Sequence, residues 1–358
     1  MWSKNGLCFA AVFLFVLPAV AAEKPSSLFP TIEQIHIASL DPAWGGLHPA
    51  CEADLKLQSH PIADFSPLPH YLSTGPRPAG KDEPEANLGH DSLAVYRLAI
   101  CFQISKDIRY STKAEAILDG WAKTTKRVGT EQGEDGFNFD FPYALMGAYL
   151  LKQDPTWTSD ALTNFVKTVV VPTSHASHEN NHAEWGVLLL ATAGGYLGDQ
   201  AMVDHAKQRW LELMHSQVAA DGSLPLEICR SNTTDWCGGP TKGIRGIAYT
   251  HFTLHPAVIA AEVFRNLGDD VYATPGGDQL RKAYIKAAAW TLHPETFPYF
   301  AANNGKLEDV HNTDYFYILQ QRFPVPDGST VLQQDDGGSK GGLYIKLFYG
   351  SSDVPPKP

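Results

Sequence analysis

The sequence predicts a mainly α-helical protein. Apolar residues recur at three- and four-residue spacing in many segments of similar length, and the alternation of apolar and polar residues that is typical of strands is lacking. Short loops join these segments, a pattern that favours antiparallel helical hairpins packed side by side. A content of 44% hydrophobic residues suits a packed chain. We therefore expect one mainly α domain.

The first 22 residues have the composition of a secretory signal peptide. Lys4 precedes an apolar run over residues 7–20, and the small residues Ala21 and Ala22 follow it. The run is too short to span a bilayer as a stable anchor. We expect cleavage near Ala21 or Ala22, a mature domain over residues 23–358, no membrane partner, and a secreted or periplasmic location.

Helical segments dominate the chain between a proline-rich start and a glycine-rich end. Residues 23–90 predict a loop-rich N-terminal approach, and Asp91 is the expected N-cap of the first long helix. Residues 320–358 predict an irregular tail in which GGLYIKLFYG forms a strand or a packed segment. The other expected helices cover residues 111–124, 141–152, 158–170, 182–197, 200–218, 254–267 and 278–290.

The net charge of −11 argues against a nucleic-acid partner, since nucleic-acid-binding surfaces are usually basic. Four of the five cysteines lie outside the expected signal peptide, in a chain bound for an oxidising compartment. Cys229 and Cys237 would close a short loop, and we expect them to pair. Four unpaired thiols are the alternative.

The stretch HASHENNHAEWG places polar residues directly before an apolar helix. Asn181 and His182 stand at the expected helix N-terminus, where free N–H groups and the helix dipole favour an anion. The alternative is that Asn181 is only an N-cap and His182 only a first-turn residue.

A second polar cluster follows between residues 224 and 251. Arg245 and Tyr249 lie four residues apart, so a helix would place them on one face, and Arg230 and His251 flank them in sequence. Each also has an ordinary explanation, as a surface cation, a core aromatic residue or a polar loop residue.

These two clusters resemble the alginate lyase family that acts on polymannuronate. Asn180, Asn181, His182 and Trp185 match its Asn-Asn-His motif with a nearby tryptophan. The positions that match its second segment are Leu224, Pro225, Glu227, Arg230, Arg245 and Tyr249. The resemblance covers about residues 90–290. The chain departs from the family at Ala183 and Glu184, and in about a dozen extra residues between the two arginines.

The resemblance implies an incomplete (α/α) barrel or toroid and a lyase that cleaves a 1,4-linked polyuronate by β-elimination. Asn181, His182 and Arg230 would neutralise the sugar carboxylate, and Tyr249 would serve as base and acid. His182 is the alternative base. A phenol needs nearby positive charge for that role. The expected substrate-binding residues are Asn180, Trp185, Arg245, His251, Lys242 and Lys81.

Alginate or polymannuronate is the expected substrate, with glucuronan next. We expect a monomer that needs neither a cofactor nor a metal ion. Zinc bound by His175, His178 and His182 is an alternative, although histidine spacing without a matching carboxylate or cysteine is weak evidence.

A hydrolase and a glycan-binding protein are two further possibilities for the function. A helical-barrel glycoside hydrolase would need a pair of carboxylates across the scissile bond. The available ones are Asp135, Asp140, Glu179, Glu184 and Glu227. A non-catalytic protein that binds acidic glycans would use exposed aromatic residues, and the candidates are Trp236, Tyr299 and Tyr315.

Overall fold

A computed structural model describes residues 27–40, 44–69, 83–152, 157, 159–334 and 343–350. The expected signal peptide, Lys81 and the end of the tail lie outside these residues. No helix in the described part of the chain is long and apolar enough to cross a membrane.

The described residues are mainly helical, as predicted. The α-helices are α1 (Ile32–Ala38), α2 (Leu47–Asp54), α3 (Glu83–Ser105), α4 (Ile108–Thr124), α5 (Glu131–Leu151), α6 (Asp160–Phe165), α7 (Asn181–Leu197), α8 (Gln200–Gln217), α9 (Pro225–Ile228), α10 (Gly246–Asn266), α11 (Pro275–Leu292), α12 (Phe316–Arg322), α13 (Pro326–Gln334) and α14 (Ile345–Tyr349). A π-helical turn, Val166–Val170, extends α6. Single 3₁₀ turns cover Trp44–Gly46, Val171–Thr173, Val271–Ala273, Pro294–Thr296 and Ala301–Asn303. Two short strands, β1 (Asp64–Phe65) and β2 (Arg127–Val128), pair in parallel.

The long helices form two layers. Helices α3, α5, α7 and α10 pack side by side in that order, α4 packs against α3, and α8 packs against α7. Helices α5, α7 and α10 are buried along nearly their whole length, which explains their continuous apolar runs. This alternation of inner and outer helices agrees with the (α/α) toroid that the family resemblance implied.

The inner helices run in the same direction. Phe139 of α5 contacts both His182 and Trp185 of α7, and Trp185 contacts Phe252 of α10. Tyr143, one turn after Phe139, meets α10 one turn after Phe252. The N-termini of α7 and α10 therefore lie at the same end of the layer, and the polar residues that start these helices come together there.

Three of the expected helix starts are wrong. Helix α3 begins at Glu83, and Asp91 is a buried residue inside it whose carboxylate accepts hydrogen bonds from Ser59 and Trp121. Helices α5 and α10 begin about ten and eight residues before the expected positions 141 and 254. Their first turns carry polar side chains toward the site, so the apolar periodicity does not extend to the true N-termini.

The two ends of the chain are more ordered than the sequence suggested. Helix α2 lies in the expected loop-rich approach, and a disulfide between Cys51 and Cys101 ties it to α3. In the tail, α14 packs through buried Ile345 and Phe348, and Tyr349 donates a 2.7 Å hydrogen bond to Glu262 of α10. For its described part, GGLYIKLFYG is therefore a packed helical segment, one of the two forms expected for it, and apolar side chains at helical spacing attach it to the body.

Candidate active site

The N-terminus of α7 is built around a buried carboxylate. Asn180, and not Asn181, is the N-cap, since its side chain accepts a hydrogen bond from the backbone of His182. Asn181 donates to Glu227 twice, from its backbone N to Oε1 and from Nδ2 to Oε2, at 2.9 Å each. Asn181 is fully buried, and its Oδ1 has no hydrogen-bond partner among the described residues.

Glu227 joins the two polar segments of the sequence. It lies in α9, three residues before Arg230, and is almost fully buried. Burial raises the pKa of Glu227 above its ordinary value, while the charge of Arg230 and the hydrogen bonds from Asn181 oppose that rise. The sequence analysis placed Glu227 in the family pattern but gave it no part in the lyase site. Only its position three residues before Arg230 could have indicated that it helps to build the site.

Arg230 and Tyr249 are in direct contact. The Arg230 guanidinium lies 4.3 Å from the centre of the Tyr249 ring and 4.9 Å from the Trp236 ring, so it is enclosed between two aromatic faces. The Trp236 side chain is about half exposed, at 51%. Cys229 and Cys237 form the predicted disulfide, which closes the loop that carries Trp236.

Arg245 flanks the same tyrosine from the start of α10. Its guanidinium lies 5.3 Å from the Tyr249 ring centre, and it also pairs with Glu308 at 3.7 Å and Asp309 at 3.2 Å. The two carboxylates offset part of its charge. Lys242 is exposed and lies 5.7 Å from the Tyr299 ring centre, next to this segment.

A wall of aromatic rings connects Tyr249 with His182. Tyr249 contacts Phe252, Phe252 contacts Phe139, and Phe139 contacts His182, with ring centres 6.1, 5.2 and 5.7 Å apart. Trp185 packs against both phenylalanines and is almost fully buried, so it belongs to the wall. Asn181, His182, Arg230 and Tyr249 thus surround one region at the shared end of the inner helices.

His182 also belongs to a group of three histidines on two carboxylates of α5. His182 Nδ1 lies 2.7 Å and His175 Nδ1 3.1 Å from the same oxygen, Oδ1 of Asp135. His175 Nε2 lies 3.2 Å from Oε2 of Glu134, and the His178 ring stacks on that of His175 at 4.5 Å. Gly186 permits this arrangement, because a Cβ there would lie 2.1 Å from the backbone N of Ala176.

The charges in this group adjust to one another. Burial raises the pKa of Asp135, but His175 and His182 outweigh it and hold that pKa below its ordinary value. Burial alone would lower the pKa of His175, but the effects of Asp135 and Glu134 are larger, so the pKa lies above its ordinary value. The pKa of His178 is lowered by burial and then by the charges of His175 and His182.

Two predicted substrate-binding residues do not join the site. His251 is fully buried, with Nδ1 2.8 Å from the Tyr315 hydroxyl and Nε2 2.9 Å from Thr291 Oγ1, and burial lowers its pKa to about 3. Its prediction as a substrate contact was wrong, because the side chain points into the core. Lys81 lies outside the described residues.

Burial removes several of the residues considered for a hydrolase or a glycan-binding protein. Tyr315 is fully buried and cannot serve as an exposed glycan platform. Among the carboxylates considered for a hydrolase, Glu227 is bound to Asn181, Asp135 faces the histidines, and Glu184 is buried against Gln217. Burial raises the pKa of Glu184 well above its ordinary value.

Known structures share this architecture. An alginate lyase from Bacteroides ovatus superposes with a TM-score of 0.68 at 16% identity, over 92% of this chain and 99% of that one. Alginate lyase A1-III from Sphingomonas species A1 superposes with the same score and identity, over 90% of this chain and 95% of that one. A tyrosine-to-phenylalanine variant of A1-III complexed with a tetrasaccharide gives 0.70 at 15% identity, over 95% and 98%.

The fold and the family model together define a polysaccharide lyase of the (α/α) toroid class. The alginate lyase family model matches residues 38–297, and this chain belongs to that family. No individually curated protein matches the sequence.

Proposed function

We propose that this protein cleaves a 1,4-linked polyuronate by β-elimination and leaves unsaturated uronate ends. Polymannuronate or mixed alginate is the first substrate and glucuronan the second. The contact between Arg230 and Tyr249, continued through Glu227 to Asn181 beside His182, is the observation that carries the proposal. Family membership and the tetrasaccharide complexes of A1-III support it.

The first requirement of this reaction is to neutralise the sugar carboxylate. The C5 proton is weakly acidic, and its removal places negative charge on the carboxyl group next to it. Arg230 supplies positive charge and N–H donors, His182 supplies a ring N–H, and preorganised donors of this kind lower a barrier by about 3 to 4 kcal/mol each. Asn181 adds the Nδ2 hydrogen that Glu227 does not take, after a shift of the side chains that cover it.

Tyr249 carries out the proton transfers in this proposal. Its phenolate oxygen takes the C5 proton, the C4–O4 bond breaks as the C4–C5 double bond forms, and in syn elimination the same hydroxyl protonates the departing O4. The guanidinium groups of Arg230 and Arg245 lie 4.3 and 5.3 Å from the centre of the Tyr249 ring and place positive charge next to this phenol. His182 is the alternative base for guluronate, because the C5 proton of guluronate lies on the opposite face of the sugar ring.

Further residues would hold the polymer and set its position. Arg245, Lys242 and Asn180 lie beside the cluster and supply polar contacts, and Trp236 offers an exposed ring above Arg230. Trp185 shapes the wall, and Lys81 stays a proposal from the sequence. The protein works as an exported monomer with a cleaved signal peptide, and the two disulfides agree with export.

Ultraviolet absorbance of the unsaturated product tests the reaction. Purified protein is mixed separately with polymannuronate, polyguluronate and glucuronan, and chain length is followed in parallel. We expect absorbance to rise with polymannuronate or glucuronan as the chains shorten. Shortening without absorbance would indicate a hydrolase, and binding without shortening would indicate a glycan-binding protein; either result would overturn the proposal.

A further inference from the structure

We propose that His175, His178 and His182, together with Glu134, form a binding site for one divalent transition-metal cation of the zinc class. Sequence spacing alone gave this idea little support, because no carboxylate accompanied the histidines. The structure supplies two carboxylates from another helix, Glu134 and Asp135 of α5. The site goes beyond the proposed lyase reaction and does not depend on it.

The three imidazoles lie close together. One nitrogen of each histidine lies within 4.8 Å of the corresponding nitrogens of the other two. Their ring centres are 4.5, 5.7 and 5.9 Å apart. With zinc–nitrogen bonds of about 2.1 Å, tetrahedral geometry places two coordinating ring centres about 5 Å apart. The observed distances lie on both sides of that value. The rings are nearly parallel, with interplanar angles of 10°, 32° and 23°, so they must turn about their side-chain torsions for the three nitrogens to meet one ion.

Glu134 is placed to complete the coordination. Its Oε2 lies 3.2 Å from His175 Nε2. Two ligand atoms on one tetrahedral zinc ion are about 3.3 Å apart when each bond is about 2.0 to 2.1 Å long. A cation that replaces the proton between His175 and Glu134 gains the fourth ligand once the Glu134 side chain turns toward His178 and His182, because only the three histidine nitrogens lie mutually close in the metal-free protein.

Asp135 acts behind the ligands. Its Oδ1 lies 3.1 Å from Nδ1 of His175 and 2.7 Å from Nδ1 of His182, so a single carboxylate charge lies next to both rings. A carboxylate behind a histidine ligand is the usual outer partner in protein zinc sites. One carboxylate oriented toward two histidines is difficult to explain by packing alone.

The backbone that carries the histidines is held in place. His175 N donates to Asn138 Oδ1 at 3.0 Å, and Arg209 donates to the carbonyl oxygens of Ala176 at 2.8 Å and His178 at 2.7 Å. His182 is fixed by the first turn of α7. Binding therefore requires ordering of side chains only, which favours affinity.

Zinc binding by untagged protein, purified without refolding, tests the site. After chelator treatment and dialysis, the protein is titrated with Zn²⁺ by calorimetry, and retained metal is counted after gel filtration. We expect one equivalent per chain for the wild type. His178→Ala and Glu134→Gln should each weaken binding at least tenfold, whereas His205→Ala, at an exposed histidine of α8, should bind like the wild type.

Co²⁺ provides a second readout, because a four-coordinate ion with nitrogen ligands absorbs strongly in the visible range. The proposal is overturned if the wild type retains no stoichiometric zinc, or if His178→Ala and Glu134→Gln, shown to be folded by circular dichroism, bind as tightly as His205→Ala. Lyase activity is not used as a readout, since His182 belongs to both sites. Failure of zinc binding would leave the proposed reaction untouched.

Discussion

Replacing Glu227 with glutamine tests how the site is assembled. The wild-type carboxylate accepts two hydrogen bonds from Asn181, at 2.9 Å each, in a nearly water-free position. Glutamine has the same size but only one acceptor oxygen, so its NH₂ group faces one of the two Asn181 donors. An unsatisfied buried donor costs about 1 to 3 kcal/mol. We expect the variant to lose about 2 kcal/mol of stability.

The pH dependence of that difference has a definite sign. Because burial raises the pKa of Glu227 above its ordinary value of 4.5, the folded wild type takes up a proton more readily than the unfolded chain. The contribution of Glu227 to folding stability is fully present below its ordinary pKa and is lost as pH rises through its raised pKa in the folded protein. Glutamine does not titrate, so the deficit of the variant should be largest in acid and smallest at alkaline pH.

The activity of the Glu227→Gln variant should fall further than its loss of stability alone would explain. Displacement of Asn181 by a fraction of an ångström misplaces the carboxylate pocket, and we expect kcat on polymannuronate to drop about 10- to 100-fold. Urea unfolding and initial rates of absorbance give the two numbers. Glu212→Gln, at an exposed position of α8, is the matched control and should change neither. A Glu227→Gln protein with wild-type stability and rate would refute the assembly described here.

Three other substitutions probe separate parts of the molecule. Glu262→Gln removes the buried partner of Arg265 and Arg322 and should cost about 3 kcal/mol in urea unfolding; an unchanged midpoint would contradict the described attachment of the tail. Glu184→Gln should have the same stability as the wild type at acid pH and a higher stability as pH increases, by up to about 1.4 kcal/mol per pH unit. The reason is that the raised pKa of Glu184 makes its ionised form unfavourable in the folded protein. A stability difference that does not change with pH would contradict this. Trp236→Ala should raise KM several-fold with little change in kcat, and a fall in kcat alone would show that the ring serves the chemistry and not binding.

The sequence predicted those features that depend on local patterns. The helical periodicity predicted the fold class, and polar residues before an apolar run located the start of α7 to within one residue. The short spacing between Cys229 and Cys237 predicted their disulfide. Each of these signals lies within a single segment, so no knowledge of the tertiary structure was needed.

Features that depend on distant segments could not be predicted. Asp135 meets His175 and His182 only because α5 and α7 pack in parallel, with about 40 residues between them in sequence. Glu227 meets Asn181 in the same way. His251 shows the reverse error, since a polar residue near the site in sequence points into the core.

The rate of elimination by a Tyr249→Phe variant tests the central claim most directly. The phenyl ring preserves the contact with Arg230 but removes the hydroxyl group that is proposed to move both protons on polymannuronate. On polymannuronate, the account predicts that kcat falls about 100- to 10,000-fold while the fold, followed by circular dichroism, and polymer binding stay unchanged. A variant that releases unsaturated product within tenfold of the wild-type rate would contradict it.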